Sequence, residues 1–378
     1  MKSLKSSFRF YLPGLSAAII ALTPLIAGAQ SLDLPSRSWG ISFGNSRSFT
    51  GLRFNYRDHD VNYVHGINVT LWKPDSTNKN AEIRGLSLGL MPGGGDLAGI
   101  QAGVLGIIAE RKLEGISAAL LGVGSGNDLR GVTLAGLGVG SGASMSGIQI
   151  AGLGAGAGDD LTGITIAGLG GGAGGRVSGV NIAGLGFGAG GDLCGISIAG
   201  FGVGGGDDVA GLQIAGMGIG AGGTLAGISI GGFGVGAGGS IKGITIGGFG
   251  VGAGESIQGI TIAGFGAGAG QTLSGITIAG LGAGSPTIQG LTLAGLTIGG
   301  KDLQGIQLAL GTIRGFKEGR MSLLSVSSFN YIQGTQTGLS IGLVNLAQRL
   351  RGLQIGVINI VHENPKYLRV LPLFNAGF

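Results

Sequence analysis

The sequence predicts an all-β fold: a β-solenoid whose coils are glycine-rich phrases of about 16 residues. Three observations predict it. A glycine opens each phrase at Gly99, Gly115, Gly131, Gly147, Gly163, Gly179, Gly195, Gly211, Gly227, Gly243, Gly259 and Gly275, every step being sixteen. A fixed period of this kind marks a stacked array. Within each phrase apolar and polar residues alternate as in a strand, for example Ile164-Thr165-Ile166 and Ile196-Ser197-Ile198. The turns keep one length and one chemistry, with no doubling of the period. An up-and-down membrane barrel, the alternative architecture, would alternate short turns with long loops. Fifteen or so coils at about 4.8 Å each make a rod of about 70 Å.

The chain divides at the sequence level into four parts. Residues 1–29 read as a signal peptide. Lys2, Lys5 and Arg9 form a basic start, Leu15 to Ile26 an apolar core, and Ala27-Gly28-Ala29 a small-residue cleavage site. These residues hold three bases and no acid, so the formal charge of +5 falls to +5 − 3 = +2 in the mature chain. Its basicity therefore gives no footing for nucleic-acid binding. Residues 30–84, rich in Trp, Tyr and Phe, read as an N-terminal β cap. They contain an imperfect, bulkier pair of repeats from Gly51 and a disordered-looking loop at 73–80. Residues 85–310 form the repeat array, and 311–378 the irregular C-terminal repeats and cap.

Facing is assigned by hydropathy. Positions two and four of each phrase, such as Ile196 and Ile198, are expected inside, and the polar position three outside in water. Position seven (Leu153, Phe233, Phe249) and position nine (Val203, Ile219, Val235) are also expected inside, which requires the parity to switch at the Ala/Gly–Gly pair of positions five and six. Position fifteen (Leu161, Leu193, Leu273) returns to the interior. Before it, Asp, Ser or Thr supplies turn chemistry.

"GLSIGLVNLA" from Gly338 and "GLQIGVINIV" from Gly352 restart the pattern with a fourteen-residue step. These phrases resemble the leptospiral-type bacterial surface-repeat family, whose members carry tandem G-[LV]-Q-[IL]-G-[LV]-x-N repeats. The match is closest at 338–361. The long tract departs from it, with Ala or Gly in place of the second-half Asn. The resemblance implies an exported, surface-associated protein and carries over no catalytic residue.

Candidate chemistry is sparse. Gly-rich phrases of the GxGxxG kind bind nucleotides only between a strand and a helix, and no helical periodicity follows any of them. Gly295 to Asp302 imitates a phosphate-binding loop but has Asp where Ser or Thr must hold magnesium. Asp159-Asp160 and Asp207-Asp208 invite a calcium reading, but a calcium ladder needs an acid in every turn, and Gly239-Ser240 stands at the same place. Cys194 reads as a neutral substitution, and as a lone cysteine it forms no internal disulfide. The one cluster suited to metal or acid–base work is Asp58, His59 and Asp60, with His65 nearby; the competing reading is a solvated turn before Val61. No catalytic constellation and no cofactor emerges. The expected function is a non-catalytic, exported bacterial cell-surface or outer-membrane protein with a structural, adhesive or partner-binding role. Its partner would be a surface, protein or glycan, with membrane association open. The alternatives are an outer-membrane pore or scaffold, and an enzyme or metal site at Arg57–Asp60.

Overall fold

The computed structural model describes residues 31–377; the expected signal peptide and the terminal Phe378 lie outside the described residues. Most of those residues are strand, and the helical pieces among them are two short 3-10 turns at Ser76–Asn80 and Lys366–Leu368. The chain forms two compact units that meet in sequence after Gly142.

In the second unit each sixteen-residue phrase is one coil. A longer strand such as Leu161–Ala167 is followed by a corner at positions six and seven, a four-residue strand such as Gly170–Ala173, and a turn. Successive coils pair in parallel without slip. Gly163 lies opposite Gly179, Ile164 opposite Val180 and Thr165 opposite Asn181. The short strands stack likewise, Gly186 on Gly202 and Phe187 on Val203. The fold is a β-solenoid. The up-and-down barrel is not adopted, because that fold needs antiparallel neighbours.

The phrase-opening glycine has a steric reason. At Gly163, Gly259 and their equivalents φ is about +104 to +121, a region L-residues avoid. A Cβ on Gly259 would sit 2.1 Å from the carbonyl oxygen of Gly243 in the preceding coil. The glycine bends the longer strand where backbones approach too closely for a side chain.

The facing of the long strand is the reverse of the hydropathy expectation. The polar position three is inside: Gln149, Thr165, Asn181, Ser197 and Gln213 are fully buried. Positions two and four are outside, with Ile196 and Ile198 exposed to 38% and 37%. Position seven also faces out, at 43–56% exposure from Leu153 to Leu296. No parity switch occurs. Positions three, five, nine and fifteen all point inward, filled by a small polar residue, Ala or Gly, mostly Val, Ile or Ala, and Leu, Ile or Val. Cross-section is the physical cause. Strands of four and seven residues enclose a narrow interior, which small side chains and one branched aliphatic pair occupy. Two further isoleucines per coil do not fit.

The first unit uses the same grammar. The strands β1 (Ser31–Pro35), β2 (Trp39–Gly44), β3 (Ser48–Asn55), β4 (Tyr63–Thr70) and β5 (Glu82–Gly89) open it. Residues 30–84, expected as a cap, contain coils in the same parallel register: Gly40, Gly51, Gly66 and Gly85 align along β2 to β5. Among the described residues of this unit only β1 runs antiparallel, on β2. The 73–80 segment, expected as a disordered-looking loop, carries the 3-10 turn Ser76–Asn80. Asn78 is buried, and its Oδ1 accepts the Val61 N–H at 2.8 Å. At the far end of the second unit, Val370–Gly377 pairs antiparallel to the long Phe329–Val361 strand. Such strands cover parallel edges that otherwise recruit further chains.

The polar interior is satisfied unevenly. Near the C-terminus Asn330, Asn345 and Asn359 form a buried amide ladder, each Nδ2 donating to the next Oδ1 at 2.7 Å. The Nε2 of Gln354 donates to Oε1 of Gln336 at 2.8 Å. In the central tract, by contrast, Thr165 Oγ1, Ser197 Oγ and both polar atoms of the Asn181 amide lie buried without a hydrogen-bond partner.

Candidate functional site

The residues singled out for metal or acid–base work do not converge. Asp58 is buried rather than in a solvated turn. Its Oδ1 accepts from Arg53 Nη1 at 2.6 Å and from Asn55 Nδ2 at 2.8 Å, and its Oδ2 accepts from Thr70 Oγ1 at 3.1 Å. Arg53 occupies the inward position three of its coil, so Asp58 neutralises a guanidinium the coil geometry buries. His59 faces Asp75 at 3.3 Å, Asp60 pairs with Arg47 at 3.1 Å, and His65 lies 3.6 Å from Glu82 and beside the Tyr63 ring. The Asp75 carboxyl is held below its usual range by hydrogen bonds from the Ser76 backbone and hydroxyl, then by His59 and the charge of Arg57. Among the described residues no group of three or more His, Cys, Asp or Glu is placed to hold a metal.

The other decoys resolve as structure. After Gly295 come the strands Thr297–Gly300 and Asp302–Ala309, so no helix follows the Gly295–Asp302 segment. Asp302 Oδ1 accepts the Arg320 N–H at 3.1 Å. The acidic turns form a backbone-capping column. Asp160 accepts the Arg176 N–H at 2.9 Å, and Asp192 the Asp208 N–H at 3.3 Å. Arg176 Nη2 also donates to Asp192 at 2.8 Å. That bond, with the Asp208 N–H, lowers the Asp192 pKa from its ordinary value. These oxygens serve the chain itself.

What the coil does build is an exterior with sharply separated chemistry. Between Ala143 and Asp302 there are ten charged residues: Asp159, Asp160, Arg176, Asp192, Asp207, Asp208, Lys242, Glu255, Lys301 and Asp302. All ten fall at positions twelve to sixteen, the turn and the start of the longer strand. The corner across the coil carries Leu153, Leu169, Leu185, Phe201, Met217, Phe233, Phe249, Phe265, Leu281 and Leu296, all exposed. The Phe249 ring stacks on Phe233 at 4.9 Å and on Phe265 at 4.7 Å, within 3° of parallel. One flank of this ridge is the outward isoleucine columns. The other is bare: in the short strands the outward residues are glycines, from Gly154 and Gly156 to Gly282 and Gly284. That floor ends where Thr297, Arg314 and Phe316 rise above it, with the Arg314 guanidinium 5.6 Å from the Phe316 ring centre.

Hydropathy places position seven in the interior, so the ridge does not emerge from alternation in the sequence. The confinement of charge to five positions of sixteen is the pattern that reveals it. Fold and surface define a parallel β-solenoid with an apolar exterior ridge. No protein-family model, curated protein or solved structure matches the chain.

Proposed function

We propose that the chain is an exported, non-catalytic cell-surface protein that acts as a rigid binding scaffold through its apolar ridge. The segregation of charge carries this reading. Monomeric soluble proteins rarely leave contiguous apolar patches above a few hundred Å² uncovered. Here ten ridge residues at about 4.8 Å spacing make a strip about 43 Å long, flanked on one side by the two isoleucine columns. The basic-apolar-small-residue N-terminus supports export, and the resemblance of 338–361 to leptospiral-type surface repeats supports a surface location. The absorption of Asp58, His59, Asp60 and His65 into separate pairs favours a non-catalytic role.

Cell fractionation combined with protease treatment of intact cells tests the proposal. The expected result is a chain recovered in the envelope fraction and cleaved from outside. A chain that stays in the cytoplasm overturns it.

A further inference from the structure

We propose that the partner of the ridge is the interfacial region of a lipid bilayer, with the coils lying along the membrane and the charged turns facing water. The inference deepens the scaffold reading and rests on the same surface.

The first argument is backbone satisfaction. Only structures whose N–H and C=O groups are paired internally enter hydrocarbon without a large penalty. A corner is where such groups are usually orphaned, but here they are bonded along the axis. The Leu169 N–H donates to the Leu153 carbonyl at 2.8 Å, and the Phe265 N–H to the Phe249 carbonyl at 2.7 Å. The intervening ridge residues repeat this at 2.5–2.8 Å. Outward Gly strands are paired in the same way.

The second argument is area. Two copies meeting through the isoleucine columns share a strip of roughly 50 Å by 12 Å, about 600 Å². That is only the lower limit of a standard stable interface, about 600 Å² per partner. Two convex ridges bury less still, whereas a fluid closes around a convex edge. The third is charge. The turn edge from Ala143 to Asp302 carries seven acids against three bases, net −4, and the ridge itself has no charge. Attachment is therefore apolar and needs no anionic headgroup, unlike basic amphipathic helices.

The test is flotation of the full chain with phosphatidylcholine vesicles. The wild type is expected to float. Phe233→Asp with Phe249→Asp and Phe265→Asp should lower the bound fraction at least tenfold. The same three charges on the turn edge, Thr162→Asp with Gln258→Asp and Gln271→Asp, should leave it unchanged. Leu153→Asp, Leu169→Asp and Leu185→Asp provide a second ridge variant that disturbs no ring stack, should the Phe variant unfold. The apolar N-terminal stretch is common to all variants, so the differences read the ridge alone. One molar salt should not weaken binding, and added phosphatidylserine should not strengthen it. Equal flotation of wild type and ridge variants overturns the proposal, as does release by salt. A wild type that ignores vesicles but forms a dimer lost in the ridge variants assigns the ridge to a second copy instead. Purified protein and vesicles report on lipid binding whatever the fractionation of cells shows, so the two proposals fail separately.

Discussion

Asn345 donates from Nδ2 to Oδ1 of Asn359 at 2.7 Å while accepting from Nδ2 of Asn330 at the same distance, and all three amides are buried. The interior of this solenoid is thus held partly by polar columns that run along the axis. Asn345→Ala removes the middle rung and leaves Asn359 Oδ1 without its donor. The expected cost is about 2 to 3 kcal/mol, read as a lower midpoint in denaturant unfolding followed by circular dichroism.

The central tract makes the opposite case. Thr165 Oγ1 is buried and unpartnered, so its desolvation is not offset. Thr165→Val keeps the shape and deletes the orphan. A gain of about 1 kcal/mol is expected. A loss in thermal unfolding would show that the hydroxyl does contribute.

Facing is tested by a pair. Ile198 is outward and Val203, five residues on, is inward with 4% exposure. Ile198→Asp should change stability by under about 1 kcal/mol. Val203→Asp buries an unpaired carboxylate and should abolish cooperative unfolding or cost several kcal/mol. Equal effects would contradict this facing.

Arg53 and Asp58 are mutually dependent. Arg53→Ala strands the buried carboxylate, and Asp58→Ala strands the guanidinium. Each single change should cost about 3 to 5 kcal/mol. The double variant should recover a large part of that loss, a coupling that urea titration of the four proteins measures.

The glycine column has one exception. Leu323 pairs with Gly305 on one side and Gly338 on the other, and it is held at φ +84. Leu323→Gly should relieve more backbone strain than the entropy it adds, a net gain of about 1 kcal/mol. Gly259→Ala, whose Cβ meets the Gly243 carbonyl, should cost about 3 kcal/mol or more. Melting temperatures of both variants check the contrast.

The stretch "GITIAGFGAGAGQTLS", residues 259–274, shows what each level of description decided. Its period, its strand character and the inward Leu273 were legible in the sequence, because repetition is a local property; the turn expected at Gln271-Thr272 falls one residue earlier, at Gly270-Gln271, and Thr272 already opens the next strand. The facing of Ile260, Thr261 and Phe265 was not. Hydropathy alternation states only that two faces differ, and placing the greasier one inside assumes an interior wide enough to hold it. The tertiary structure removes that assumption. A coil closed by strands of four and seven residues has room for Thr261 and Leu273 but not for Ile260, Ile262 and Phe265 as well. Parity supplied a clue, since positions three, nine and fifteen are all odd and share the inward side, while position seven, also odd, turns outward at the corner. Likewise "RDHD" could be read as a solvated turn from its letters. Only stacking shows that Arg53, at an inward position, requires Asp58 beside it. Sequence by itself determined the repeat and its coil; the narrow cross-section, a property of the closed turn, decided which face became core and which became the exposed ridge.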